Sequence, residues 1–216
     1  MALIMENNLE AEAFQFKSPF TTLIASPSGS GKTSFVVKLI KNARAMIFPH
    51  VEKIIYCYCY YQPLYEEIKH LVSFHEGLPD ISKFDGTVPT LTCIDDLMND
   101  VNVVIESLFT KGSHHLNISV IHLTQNLFQG KKENRTILLI ANYIILFKNV
   151  RDQTQFSVLA RQMFPNNTKY AIEAYKDATR VPYGYLVIDL KPETDDNLRL
   201  RTQILPNETQ YIYVPK

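Results

Sequence analysis

Apolar residues in this chain fall into short unbroken blocks, separated by stretches in which they recur every three or four positions. The blocks Thr21–Ala25, Lys53–Tyr58, Thr90–Ile94, Ile118–Thr124 and Tyr143–Phe147 are rich in β-branched and aromatic residues and predict five strands. Helical spacing predicts helices from Phe35 to about Ala43, over Val101–Phe109, Lys131–Ala141 and Asp152–Met163, and over about Thr168–Ala178. Leu64–Ile68 begins a short helix, and a loop with Gly77, Pro79, Gly86 and Pro89 follows it. Tyr185–Leu190 and Leu198–Ile204 flank a polar Pro/Asp/Asn turn and predict an antiparallel hairpin. Unbroken apolar strands alternating with helices imply an α/β fold with a mostly parallel sheet, helices on both faces and a C-terminal antiparallel β-hairpin. A ligand then belongs beyond the carboxyl ends of the strands. Phe14, Phe16 and Phe20 alternate, as in an arm that becomes an edge strand. The division is an arm over 1–18, a domain over 19–205 with the hairpin at about 184–205, and a tail over 206–216.

Length and charge narrow the class. At 216 residues and 46% hydrophobic, the chain suits one large domain with a real core. Twenty-two acidic and 22 basic residues balance, which excludes a protein coated in basic charge; contact with nucleic acid falls to local basic loops. Cys57, Cys59 and Cys93 lie in strand-like runs without zinc spacing, and read as buried thiols of an intracellular protein. The N-terminus carries acidic residues and no signal-peptide pattern, and no segment is apolar and long enough to span a membrane, so no membrane partner is expected.

The chemistry concentrates after the first strand. Ser26-Pro27-Ser28-Gly29-Ser30-Gly31-Lys32-Thr33-Ser34 joins a strand to a helix through small residues and ends in Lys-Thr. Strand, small-residue loop, Lys-Thr and helix are the parts of a phosphate-binding P-loop. Backbone N–H groups of Ser28, Gly29, Ser30, Gly31, Lys32, Thr33 and Ser34 can surround phosphate oxygens, and the helix dipole points its positive end there. Lys32 can reach the terminal phosphates and Thr33 can hold Mg²⁺, which makes ATP and Mg²⁺ the expected ligands. Ser26 stands where the usual spacing has Gly; it serves if it leaves the strand without a positive φ. Nucleotide hydrolysis also needs an acid for the metal and a group to activate water. Asp95 and Asp96 end the third strand, Asp95 to hold Mg²⁺ and Asp96 to act as general base; Asp96 could instead cap the next helix. Gln125 ends the fourth strand, which is expected between the first and third. Its amide can donate and accept, bridging terminal phosphate and lytic water, where a simpler reading is a polar strand terminus.

Ser28–Thr33, Cys93–Asp96, Leu116–Asn126 and Ile145–Asn149 together resemble the genome-packaging ATPases of the FtsK–HerA superfamily. The resemblance is to the compact viral branch, similar to the poxvirus packaging ATPase and found in adintoviruses and Polinton/Maverick elements. It covers about residues 18–205, with Arg151-Asp152 and Ala160–Pro165 adding to it. It implies an ASCE-type, RecA-like P-loop NTPase that works as a homo-oligomeric ring and drives double-stranded DNA into a viral capsid through its vertex. The place would be an assembly site in the host cell or the virion. The superfamily often carries an arginine before the fourth strand for the neighbouring subunit's nucleotide. Here Lys111-Gly112-Ser113-His114-His115 stands instead, leaving Lys111, His114, Arg135, Arg151 and Arg161 as substitutes. Lys131, Lys132 and Arg135, or Lys169, Lys176 and Arg180, could meet DNA phosphates, although each set also reads as a solvated helix face. Tyr56, Tyr58, Tyr60 and Tyr61 could stack on single strands, though strand packing explains them as well. A small-molecule P-loop kinase and an ATP-binding adaptor without turnover are the rival readings. The first lacks its usual arginine-rich lid, and the paired aspartates weigh against the second.

Overall fold

A computed structural model describes residues 14–95, 97, 102–128 and 132–215, with the backbone alone for 102, 114 and 132–135. Its centre is a nine-stranded sheet of β2 (Thr21–Ala25), β4 (Lys53–Tyr58), β5 (Ser73–Glu76), β6 (Thr90–Asp95), β7 (Ile118–Thr124), β8 (Tyr143–Phe147), β9 (Tyr185–Asp189), β10 (Leu200–Thr202) and β11 (Tyr211–Tyr213). The spatial order is β11-β10-β9-β8-β2-β7-β6-β4-β5. Strands from β5 to β8 in that order run parallel, and β9, β10 and β11 follow antiparallel. The fold is therefore mixed α/β, with a large, mostly parallel sheet and an antiparallel C-terminal end.

Every residue of β2, β6 and β8 is buried, because both faces of the sheet are covered. Side chains alternate between two apolar layers. Ile24, Tyr143, Ile145 and Phe147 join the layer containing Phe35, Val36 and Leu39 of α1 (Lys32–Lys41). Leu23, Ala25, Ile144 and Leu146 join the opposite layer. That second layer includes residues of α3 (Asn102–Ser107), α5 (Lys132–Ile140), α6 (Thr154–Met163) and α7 (Thr168–Ala178). Among the described residues there are also two short helices, α2 (Ala43–Met46) and α4 (Ser113–His115), with a π-helical stretch, Leu108–Gly112, joining α3 to α4.

Four expectations need adjusting. The aromatic arm does not form an edge of the main sheet. Its two-residue strand β1 (Phe16–Lys17) pairs in parallel with β3 (Ile47–Phe48) in a separate small sheet, because Phe16 and Phe20 turn inward against Tyr143. The long loop after Ile68 contains β5, which adds to the outer side of β4. The segment read as a tail contributes β11, paired antiparallel with β10. Cys59 is exposed, since β4 ends at Tyr58; Cys57 and Cys93 are buried free thiols. Among the described residues no helix is long and apolar enough to cross a membrane.

Candidate functional site

The parallel strands end side by side. Ala25 of β2 pairs with Thr124 of β7, and Asp95 of β6 pairs with Leu123 of the same strand. β7 thus lies between β2 and β6, as expected. The loop from Ser26, the end of β6 and Gln125 are brought to one edge, where a cleft of about 490 Å³ opens.

The loop forms one wall of this cleft. Ser26 is buried, needs no positive φ, and its hydroxyl faces the Lys148 carbonyl at 3.4 Å. The reversal falls to Gly29 and Gly31, at φ +79° and +105°, a region that L-residues avoid. Gly31 is doubly constrained, because a Cβ there would lie 3.1 Å from the Tyr183 ring. No side chain caps α1, and its first turn holds no acid. The first-turn N–H groups of Lys32, Thr33 and Ser34 therefore have no acceptor within the helix. These three residues line the cleft with Ser28, Gly29 and Gly31; Ser30 does not, and its buried hydroxyl has no hydrogen-bond partner among the described residues. The Lys32 ammonium donates to the carbonyls of Ser26 and Pro27, which draws it along the loop.

Asp95 forms the floor. It is 4% exposed, and its Oδ2 accepts hydrogen bonds from three hydroxyls. These are Thr33 Oγ1 at 3.0 Å, Tyr56 at 2.8 Å and Tyr65 at 3.1 Å. Burial first, then the charge of Asp95, pushes the Tyr56 phenol well above its ordinary pKa, so it stays a donor. Gln125 lines the cleft beyond β7. Asp96, the expected general base, lies outside the described residues, as do Lys131 and the side chains of His114, Lys132 and Arg135. Lys111, Arg151 and Arg161 are exposed and do not line the cleft. Among the described residues no group of three His, Cys, Asp or Glu could hold a metal.

The expected tyrosine cluster divides. Tyr56 is fully buried and bonded to Asp95, while Tyr60 is 82% exposed. Tyr65 was not expected at the site. It reaches the site through Asp95, from a 3-10 turn, Pro63–Ile68, whose neighbour Gln62 and own Leu64 line the cleft. Tyr183 was likewise missed: it holds a positive φ of 60° and lies over Gly31. The only signal for it in the sequence is the Tyr-Gly pair before the β9 block.

No protein-family model and no curated sequence matches the chain. Among solved structures, the cytoplasmic domain of EssC aligns with 82% of this chain at 13% identity and a TM-score of 0.46. The ATPase DotB of Legionella pneumophila aligns with 81% at 13% identity and a TM-score of 0.35. This chain spans 41% of the first and 56% of the second, less than two thirds of either.

Proposed function

We propose that this chain is a P-loop nucleoside triphosphatase of the ASCE, RecA-like kind that hydrolyses ATP with Mg²⁺. One observation carries the reading. Three segments distant in sequence, the Ser28–Ser34 loop, the end of β6 and the end of β7, meet at one cleft. The residues present fit a magnesium nucleotide. Uncapped N–H groups and positive-φ glycines suit phosphate oxygens, and the Thr33 hydroxyl and Asp95 carboxylate, 3.0 Å apart, are hard oxygen donors. Two protein oxygens and few others match Mg²⁺, which keeps waters and takes further ligands from phosphate.

In this reading the loop holds the phosphates and Lys32 leaves its carbonyls to meet the terminal one. Thr33 and Asp95 hold the ion, Asp96 takes the proton of the attacking water, and Gln125 links that water to the phosphate. Mg²⁺, when bound, neutralises charge on the reacting phosphates.

The resemblance of Ser28–Thr33, Cys93–Asp96, Leu116–Asn126 and Ile145–Asn149 to viral packaging ATPases extends the proposal. The chain acts as a homo-oligomeric ring that translocates double-stranded DNA into a capsid at its vertex, inside the host cell or with the virion. A neighbouring subunit would supply a second cation. Lys32 is the one cation lining the cleft among the described residues. For DNA phosphates, the best described surface is a second cleft of about 520 Å³ lined by Lys148, Lys176 and Arg180. Lys169 is engaged instead with Glu173 at 3.9 Å.

The test is ATP hydrolysis on size-fractionated protein, with and without duplex DNA. Activity that duplex DNA stimulates, that resides in an oligomeric fraction and that Lys32→Ala abolishes supports the motor. Phosphate transfer to a nucleoside, indifferent to DNA, replaces it with a kinase; binding without turnover replaces it with an adaptor.

A further inference from the structure

Asp95 Oδ2 carries an unusual load. Three hydroxyls from three different elements donate to one oxygen: Thr33 from α1, Tyr56 from β4 and Tyr65 from the turn after β4. A carboxylate oxygen has two lone pairs, so three donors fill it. Oδ1 is then the oxygen left for the cleft, which Asp95 lines. The two tyrosines are not free to rearrange. Tyr56 is 0% exposed and Tyr65 1%, their rings are 4.8 Å apart, and Phe74 of β5 packs on both at 5.8 and 5.6 Å. Phenylalanine would fill the same aromatic space, so packing alone does not call for either hydroxyl.

We infer that Tyr56 and Tyr65 are positioning residues, which together clasp Oδ2 and reserve Oδ1 of Asp95 for the hydrated divalent ion of the bound nucleotide. The inference rests on the proposed nucleotide function. Without the clasp the carboxylate plane can turn about its terminal torsion, which is broad, and swing its second oxygen away from the cleft. With it, one orientation is fixed before the ion arrives, and the ion meets a preformed ligand. Thr33 belongs to both sides. Its hydroxyl hydrogen is given to Asp95, and its lone pairs remain for the ion. The tyrosines therefore act on the ion through Asp95 and touch neither nucleotide nor metal.

The experiment uses the full chain with ATPγS, a slowly hydrolysed nucleotide, and Mn²⁺ as the ion, read by electron paramagnetic resonance. Nucleotide affinity is measured in parallel with EDTA present. Tyr56→Phe and Tyr65→Phe should each raise the Mn²⁺ concentration for half-saturation about five- to tenfold and the pair further, with affinity in EDTA unchanged within twofold. Folded variants that bind Mn²⁺ within twofold of wild type would overturn the clasp while leaving the ATPase reading in place. An equal loss in both conditions would overturn it too, because the tyrosines would then merely support the cleft. If wild type binds nucleotide with no dependence on divalent ion, both the inference and the function above it fall. Tyr65 sits on a turn and not in the sheet, so Tyr65→Phe decides the matter if Tyr56→Phe does not fold.

Discussion

Two buried carboxylates, Asp95 and Asp189, end strands at opposite edges of the same sheet, and the fold treats them differently. Asp189 ends β9 beside Tyr143, at the edge away from the cleft. It is 3% exposed, bonded to the Arg201 guanidinium, and accepts the Lys191 backbone N–H at 3.1 Å. Its charge is answered inside the fold. Asp95 is as deeply placed, but its three donors are neutral hydroxyls. Those bonds solvate and orient the carboxylate without cancelling its charge. A buried charge held this way is costly unless a cation visits, and it stands beside the loop best suited to phosphate. The pair at Asp189 is architecture, and the clasp at Asp95 is preparation.

The sharpest way to break this contrast is to neutralise each acid. Asp95→Asn keeps an oxygen for the three hydroxyls and removes the charge. Hydrolysis should fall on the order of 10²-fold or more, measured as steady-state phosphate release, with the unfolding midpoint little changed. Equal activity would mean that Asp95 is structural after all. Asp189→Ala should do the reverse. Leaving Arg201 buried without its acid costs about 3–5 kcal/mol in urea unfolding, while turnover per folded molecule is retained. A third buried ionisable group refines the comparison. His122, on β7, has no charge to answer, because burial, opposed weakly by a hydrogen bond with the Ile94 backbone, lowers its pKa to about 4. Its unfolded pKa is about 6.5. Between those values the unfolded chain binds the extra proton, so stability is complete above about pH 6.5 and declines as pH falls toward 4. The loss by pH 4 is about 3 kcal/mol from this residue. Urea melts of wild type and His122→Leu across that range check it: the variant should have a flatter slope.

Much of this was legible in the residues. Lys53–Tyr58 and Tyr143–Phe147 match their strands end to end, because an unbroken β-branched and aromatic block has few other ways to bury itself. The loop, Asp95 and Gln125 could be assigned to one edge once β7 was placed between β2 and β6. What escaped notice lacked a local signal. β5 is Ser-Phe-His-Glu, with no fully buried residue, and exists because the edge of β4 accepts it. β11 is three residues in a stretch of prolines and polar groups, recruited by β10. The clasp was hidden because Tyr56 and Tyr65 look like core aromatics. Only the neighbouring of β4 and β6, with Tyr58 paired to Asp95, reveals which hydroxyls end beside which acid.

The position of β7 limits how the cleft could speak to the rest of the molecule. A ladder on each flank stitches its backbone, to Thr124 against β2 and to Leu123 against β6, and Ser26 N–H adds a further bond to the Thr124 carbonyl at 3.2 Å. A strand sewn along both margins does not slide. A stimulus that begins at Gln125 starts just past the end of the ladder, and passes next to Leu127, which is buried and whose N–H donates to the Gln155 side chain of α6 at 3.3 Å. The sheet is the anvil, and any stroke must be delivered by what hangs off its edge.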